Sequence, residues 1–553
     1  MSTTLTILLA SLLLYFVPIW MLRGRSYLLL NDRVVSKDAV PASIFQSSSV
    51  AYSMQMAMLG PFFIWGLTRD NLAPFLNSIA FMFGLLLIWV FRRKLVVFFG
   101  NKLGNNDSIT VHEFISSQFG HSATVRNVAS AITLFGQIGV IVAEILGLLA
   151  IVTALFPNYA DAATWILIGV FMLMIGYTAL GGNEGAMLTS SLQLRIIYIS
   201  LSVFIGAFLL APKQTNGIGF SSATLIGLAF IALLLAGAQW ASRPIADKRK
   251  ALALDRILAI IACLCLVAIA YYCLQTYFSG SQPQSFQQPW INNSVPIVGL
   301  LSMVLLPLCF QINDLANWQK IASMRLTPSS QGLSKSLLGY AVEAPAIQVL
   351  CILLGMVVLI DPLFQDILSF EQFARTLFQS DVFHYQVASA AFVIATFAIA
   401  LSTIDSAFSA SICTFLCDIN RRAVDDTDQK RTAKSIAVLT AAFFVAVIFV
   451  ANAGHFFSFG SDHFIGMLMA FYGAQISFLV IVLSGFIAGK EGGRDNLPSW
   501  VGVATLLGGT IASVSCTVAG LASGDISWSW YAVLASLGTS SGIFFFGKYL
   551  YRS

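Results

Sequence analysis

The most informative stretch of the sequence is ALSTIDSAFSAS, residues 400–411. It places the carboxylate of Asp405 within a long apolar segment. An ionisable group at membrane depth costs free energy, so it marks a functional site until another reason is found. Residues three and four apart share one helix face, and four polar residues follow that spacing: Ser402, Asp405, Ser406 and Ser409. Helix packing alone would explain Ser406 and Ser409, but it does not explain the carboxylate.

The composition sets the class of protein. Hydrophobic residues make up 58% of the 553 residues, charged residues 10%, and the mean hydropathy is +0.83, which is too apolar for a soluble protein. Apolar runs of about 20 residues predict an all-α polytopic membrane protein with about fifteen transmembrane helices. The predicted spans are 4–22, 41–66, 74–98, 126–155, 162–181, 188–212, 223–241, 256–278, 294–316, 335–360, 385–417, 433–453, 461–488, 498–522 and 527–549.

The basic residues predict the orientation. With the N-terminus outside and the C-terminus in the cytoplasm, only Arg69, Lys213 and Arg375 of the 30 Lys and Arg residues face outward, as the positive-inside rule requires. The net charge of +5 then reflects orientation and not a nucleic-acid surface. Short loops favour a plasma membrane, most simply a bacterial inner membrane.

Enzymatic chemistry finds little support in the sequence. The five histidines lie in loops or at helix ends, and neither a HExxH nor a partnered GxSxG motif occurs. The predicted helices instead carry isolated polar groups. Glu144 lies seven residues after Gln137 on one helix face, a possible polar relay, while Glu343 and Asp314 lie in two further helices. Each acid alone could serve packing, but acids in separate helices favour a pathway for a solute or an ion.

Three oxygen ligands for a cation come from one helix: the hydroxyls of Ser402 and Thr403 and the carbonyl of Ile399 one turn earlier. The remaining oxygens require an unwound helix with free carbonyls. The segment 41–66 offers one, because it combines several serines with Gly60-Pro61, and Pro307 predicts a similar interruption in the segment 294–316. Alternatively, these prolines only kink their helices.

The two interrupted helices could each open a repeat of five helices, and an odd number gives the repeats opposite topology. The sequence then divides into five parts: an N-terminal helix and loop at 1–40, a first repeat at 41–212, two inserted segments at 213–293, a second repeat at 294–488, and C-terminal helices at 489–553.

Four stretches resemble the sodium/solute symporter family. The most specific is GYTALGGNEGAMLTSSLQ, 176–193, which matches the family signature at Tyr177, Thr178, Gly181, Gly182, Thr189 and Gln193. The others are ITVHEFISSQFG at 109–120, DLANWQKIASMR at 314–325 and LSTIDSAFSASICTFLCDINRR at 401–422. They occur in the family's order.

The resemblance implies a leucine-transporter-type core of two inverted five-helix repeats, and symport of a small polar organic solute with sodium by alternating access. It implies no organic cofactor. It places sodium on the carbonyls of Ala51, Met54 and Ile399 and the hydroxyls of Ser402 and Thr403. By the same analogy, the solute lies at the membrane midplane, with six candidate residues: Ser53, Gln55, Met58, Asn313, Asp314 and Glu343.

One departure from the family concerns charge. The family has an Asp in its Thr-Asp pair on the cation pathway, and here the pair is Thr189 and Ser190. Either cation coupling is altered, or Asp405 supplies the missing charge from the opposite helix, which is the hypothesis we favour. A buried carboxylate can also take up a proton, so a proton stays open as the coupling ion.

Two other functions are compatible with the sequence. The same fold could act as a solute sensor through a separate signalling partner. A channel is less favoured, because the polar groups are scattered and do not form a repeated pore motif. Acidic groups suit a solute with hydrogen-bond donors, but the solute itself and the oligomeric state are not specified.

Overall fold

The computed structural model describes residues 40–55, 63, 73–104, 110–156, 160–209, 297–324, 332–358, 362–364, 367, 370–421, 428–453, 461–488, 497–523 and 527–552. The predicted helices at 4–22, 223–241 and 256–278 lie outside these residues. Within them the protein is all-α, as predicted. Eight described helices are long and apolar enough to cross a membrane, or nine if one bent pair counts as a single span.

We number the described α-helices in chain order. They are α1 (Ala42–Ser53), α2 (Ala73–Gly104), α3 (Val111–Ser117), α4 (Ala123–Leu155), α5 (Ala160–Leu209), α6 (Ile297–Asn313), α7 (Leu315–Ser323), α8 (Gly332–Val358), α9 (Phe370–Gln379), α10 (Phe383–Cys413), α11 (Gln429–Ala453), α12 (Ser461–Ile476), α13 (Leu479–Ala488), α14 (Ser499–Ser523) and α15 (Ser527–Arg552).

Two helix boundaries differ from the prediction. The predicted helices 162–181 and 188–212 meet directly in α5, where Gly182 alone leaves helical geometry with φ 55° and ψ −153°. Glycine adopts positive φ without steric cost, so the signature glycine forms the corner between two spans. The helix predicted at 461–488 contains a short turn at residues 477–478, which divides it into α12 and α13, while Met469–Ile487 still forms one candidate span.

The first helix break comes at Ser53, before Gly60-Pro61, which lies outside the described residues. Helix α1 ends at Ser53, since Met54 has φ −86° and ψ 72°. Near this end the Ser53 hydroxyl donates to the carbonyl of Val50 at 2.8 Å. Such local bonds compete with the helical ladder, which helps to end the helix.

The second interruption is displaced, and its assignment to Pro307 is wrong. Pro307 lies inside the continuous helix α6, where its ring packs against α2 at Gly84. The break comes at Asp314, and α6 and α7 are bent by 56°. The Asp314 carboxylate accepts the backbone N–H of Asn317 at 3.1 Å, and this N-cap starts α7 in its new direction.

The two short helices α1 and α7 lie side by side in the protein centre. Helix α1 packs against α5, α8 and α10, and α7 packs against α1, α5 and α10. Most side chains of both helices are buried, including Trp318 and Lys320 of α7. The fold therefore surrounds the two helix breaks with longer helices.

Candidate cation and solute sites

The predicted cation ligands of α1 and α10 come together. The Ser402 hydroxyl lies 3.0 Å from the carbonyl oxygen of Ala51 and 2.7 Å from that of Ile399. The Thr403 hydroxyl lies 3.3 Å from the same Ile399 oxygen. Ala51, Ser402 and Thr403 are fully buried. Four oxygen atoms from two helices thus form one cluster where α1 is about to end.

Met54 lies beside this cluster without completing it. Its backbone N–H donates to the Ala51 carbonyl at 3.2 Å, and the residue is buried. Because Met54 leaves helical geometry, its own carbonyl is released from the helical ladder of α1. The structure therefore places Met54 one turn beyond Ala51, at the broken end of the helix.

Asp405 faces the signature stretch of α5, with no exposed surface. Its carboxylate accepts the Thr189 hydroxyl at 2.8 Å and the Ser190 hydroxyl at 3.4 Å. Ser406 of its own helix donates to it at 3.3 Å. The position at which the family resemblance expects an aspartate is thus in direct contact with the aspartate that this chain carries on the opposite helix.

A second polar cluster surrounds Asp314 at the break between α6 and α7. The Gln137 side chain donates to the Asp314 carboxylate at 2.6 Å, and Tyr52 lies 3.5 Å from both groups. Asn317 donates to Asp314 at 3.2 Å through its side chain. Gln137, predicted to form a relay with Glu144, thus joins the Asp314 cluster. Glu144 is buried in the same helix.

Gln55 and Asn313 extend the cluster towards α12, whereas Ser53 donates to the Val50 carbonyl within α1 and lies beside Tyr340 of α8. The Gln55 side chain donates to the Tyr472 hydroxyl, and the Asn313 side chain donates to the backbone carbonyl of Gln475 at 3.1 Å. Aromatic rings line the gap between these groups, with the centroids of Phe310 and Tyr472 5.1 Å apart. The predicted residue Met58 lies outside the described residues.

Three amide oxygens in this cluster have no hydrogen-bond partner among the described residues. They are the side-chain oxygens of Gln55, Asn313 and Asn317, all in buried residues. The NH₂ groups of Asn313 and Asn317 point to acceptors, the carbonyl of Gln475 and the Asp314 carboxylate, so exchanging N and O in either side chain would place two acceptors against each other. The site therefore presents acceptors that lack donors.

Glu343 does not belong to either cluster. One carboxylate oxygen accepts the Tyr198 hydroxyl at 2.6 Å and the other accepts the Gln46 side chain at 2.8 Å. These bonds connect α8 to α5 and to the start of α1, two turns before Ser53. Its prediction as a solute ligand is not supported by this placement, which is that of a group joining three helices.

Lys320 is the residue that sequence analysis missed. It was counted among the basic residues of a cytoplasmic loop, yet only 1% of its surface is exposed. Its ammonium donates to the Ser48 carbonyl at 3.0 Å and lies 4.4 Å from the centre of the Tyr52 ring. It interacts electrostatically with Asp405 and Asp314. The sequence signal for its role was its position inside the family-like stretch 314–325, directly after Gln319.

A third buried cluster fastens α3 and α4 to the end of α10, where a π-helical turn at Thr414–Ile419 carries Asp418. The two nitrogens of His112 lie 2.7 Å from Asp418 and 2.7 Å from Thr133. Arg126 and Thr110 bond the other Asp418 oxygen at 2.9 Å and 2.7 Å. Arg126 also pairs with Glu113 at 2.6 Å, and such a closed set of bonds is expected for a structural clasp.

Comparisons with known proteins establish the fold. No family model and no curated protein matches the chain. A solved structure described as the substrate-bound, outward-open state of a Na⁺-coupled sialic acid symporter with a novel Na⁺ site matches with a TM-score of 0.60. The match covers 99% of this chain and 98% of that chain at 15% sequence identity. The transporter fold that the family resemblance implied is confirmed.

Proposed function

We propose that the protein is a secondary active transporter that couples movement of a small polar organic solute to sodium by alternating access. The observation that carries the proposal is the contact between the Ala51 carbonyl, near the broken end of α1, and the Ser402 hydroxyl of α10. The buried Asp405 lies one turn further along α10. The shared fold of a Na⁺-coupled symporter supports it. The predicted inverted repeats and the N-out, C-in orientation form part of the proposal.

The cluster at Ser402 has the chemistry of a cation site. A hydroxyl has a single proton, so Ser402 can satisfy only one of the two carbonyls that approach it. Hard cations bind oxygen ligands of this kind. Unwound backbone carbonyls next to a helix break serve such ions in transporters.

Asp405 provides the negative charge in this proposal. It lies one helical turn after Ser402 and contacts both Thr189 and Ser190. The negative charge that the family resemblance expects on α5, at Ser190, is therefore supplied from α10. The ion passes along the groove between these two helices. Inward movement of one cation contributes about 2.3 kcal/mol per 100 mV of membrane potential.

The Asp314 cluster is the proposed solute site. It contains an acidic group, the ring of Tyr52, and the unpartnered amide oxygens of Asn313 and Asn317. Buried acceptors without donors cost free energy, which a ligand N–H or O–H can recover. The solute should therefore be a compact molecule rich in donors, such as an amide, an amine or a polyol.

A thermal-shift panel tests this function. Purified protein is heated with small amides, amines, polyols and carboxylates, each in sodium chloride and in choline chloride of equal ionic strength. A transported solute should raise the melting temperature more in sodium than in choline, because ligands of the folded state stabilise it by mass action. Stabilisation only by carboxylates would contradict the proposed solute class.

Proteoliposomes then separate transport from sensing. The best stabilising solute of the panel, in radiolabelled form, should accumulate inside vesicles only while an inward sodium gradient lasts. An inward proton gradient without sodium is the parallel condition, and accumulation there alone would assign the coupling to protons. Binding without accumulation under either gradient would favour the sensor.

A further inference from the structure

Lys320 lies beside the proposed cation site. The residue belongs to α7, and its ammonium reaches across to α1, where it donates to the carbonyl of Ser48 at 3.0 Å. That carbonyl lies one turn before Ala51, whose own carbonyl meets Ser402. The ammonium is therefore one helical turn from the proposed sodium ligands.

The charges around Lys320 give it two partners. It interacts electrostatically with Asp405 of α10 and with Asp314, the N-cap of its own helix. The Tyr52 ring, 4.4 Å from the ammonium, adds a favourable cation–π contact. A buried ammonium is stable only with such partners, so the arrangement places a positive charge beside the proposed site.

A sodium ion bound at Asp405 would lie close to the Lys320 ammonium. The carboxylate would have to serve both the sodium ion and the ammonium, and the two cations repel each other in a site from which water is excluded. The family-like site and the lysine therefore use the same negative charge. The hydroxyls of Thr189 and Ser190 contact that carboxylate from the other side and carry no charge of their own.

We propose that Lys320 is a tethered cation that competes with sodium for Asp405. In the sodium-free carrier the ammonium, held at the Ser48 carbonyl, compensates the charge of Asp405 across the site, and arriving sodium takes over that compensation. The lysine acts through Asp405 and is a positioning residue for the cation. The inference rests on the proposed function, because it requires that Asp405 belongs to the cation site.

Equilibrium binding of ²²Na⁺ to purified protein tests the competition without any solute. Lys320→Gln keeps a donor for the Ser48 carbonyl but removes the charge, and it should tighten sodium binding about tenfold, since a neighbouring charge changes ion binding by about that factor or more. Lys320→Arg keeps the charge and should leave the affinity within about threefold of wild type. Unchanged or weaker sodium binding by Lys320→Gln would overturn the inference.

The double variant Lys320→Gln/Asp405→Asn shows whether the effect passes through Asp405. Competition predicts that Lys320→Gln tightens sodium binding less in the Asp405→Asn background than in the wild type, whereas equal tightening in both backgrounds would overturn competition for that carboxylate. If Lys320→Gln does not fold, the double variant should fold, because Asp405 is then uncharged and Asp314 keeps its hydrogen bonds from Gln137 and Asn317. Failure of both to fold would also contradict the inference.

The same data separate the two proposals. Wild-type protein that binds no sodium removes the proposed sodium coupling together with this inference. Sodium binding by the wild type that Asp405→Asn weakens, with no change in Lys320→Gln, would leave the coupling intact and overturn the role of Lys320 alone.

Discussion

The Ser402→Ala variant tests the cation site through one hydroxyl. In the sodium-bound protein Ser402 should ligate the ion, and a contact to a charged group contributes about 1.5–3 kcal/mol. Since 1.4 kcal/mol corresponds to tenfold, the sodium concentration for half-saturation should rise about 10- to 100-fold. In the sodium-free protein the hydroxyl lies 3.0 Å from Ala51 of α1, and losing this neutral bond should cost only about 0.5–1.5 kcal/mol of folding stability.

The matched control is Ser411→Ala in the same helix. The Ser411 hydroxyl is equally buried, but it donates to the carbonyl of Ala407 at 2.9 Å. Its removal should lower the melting temperature by a similar amount and leave sodium binding unchanged. Binding of ²²Na⁺ at constant ionic strength measures the affinity, and thermal unfolding measures the stability. If Ser402→Ala and Ser411→Ala bind sodium equally well, the site is not at Ser402.

Three further predictions concern the scaffold. Asp418→Ala should lower the free energy of unfolding by about 3–5 kcal/mol, because it removes the shared partner of His112, Thr110 and Arg126 from a buried cluster; a melting temperature equal to wild type would contradict the clasp. Glu343→Gln should cost about 1–3 kcal/mol through its bonds to Tyr198 and α1 without changing ²²Na⁺ binding, and a large loss of sodium affinity would return Glu343 to the site. Gly84→Ala should lower the free energy of unfolding by about 1–3 kcal/mol, since its Cβ would lie 2.2 Å from a backbone oxygen of α6. The control Gly206→Ala should not destabilise, because its Cβ meets nothing within 4 Å. Equal melting temperatures for the two variants would refute the close contact.

Local sequence predicted the parts of the site that lie on one helix. Ser402 and Thr403 share α10 with Ile399, so a spacing of three and four residues was enough to group them. Ala51 came only from the family resemblance, because its partner in α10 is 351 residues away. The contact between Ser190 and Asp405 spans 215 residues, and no local pattern reports such a distance.

Both helix breaks were predicted to exist, but the second was assigned to the wrong residue. Proline is the visible signal in a sequence, yet Pro307 is accommodated inside α6. The actual break depends on Asp314, which can cap α7 only because α7 then packs against α1, α5 and α10. Tertiary packing thus decides between two residues that are both able to interrupt a helix.

Lys320 and Glu343 show two further limits of local sequence patterns. The positive-inside rule counts a Lys near a helix end as a cytoplasmic residue. Here α7 folds back into the protein and buries Lys320, which the rule does not take into account. An acid within a membrane helix favours a binding role, but Glu343 uses both oxygens on Tyr198 and Gln46, and the latter is 297 residues away.

Sodium binding by charge-transposed variants tests the central claim most directly. Asp405→Asn should reduce ²²Na⁺ affinity at least about tenfold, the effect of one neighbouring opposite charge. Asp405→Asn/Ser190→Asp should recover most of it, because the Ser190 hydroxyl and the Asp405 carboxylate lie 3.4 Å apart and the restored charge enters the same groove. Full sodium affinity in Asp405→Asn, with the fold intact by thermal unfolding, would contradict the claim that this carboxylate serves the cation.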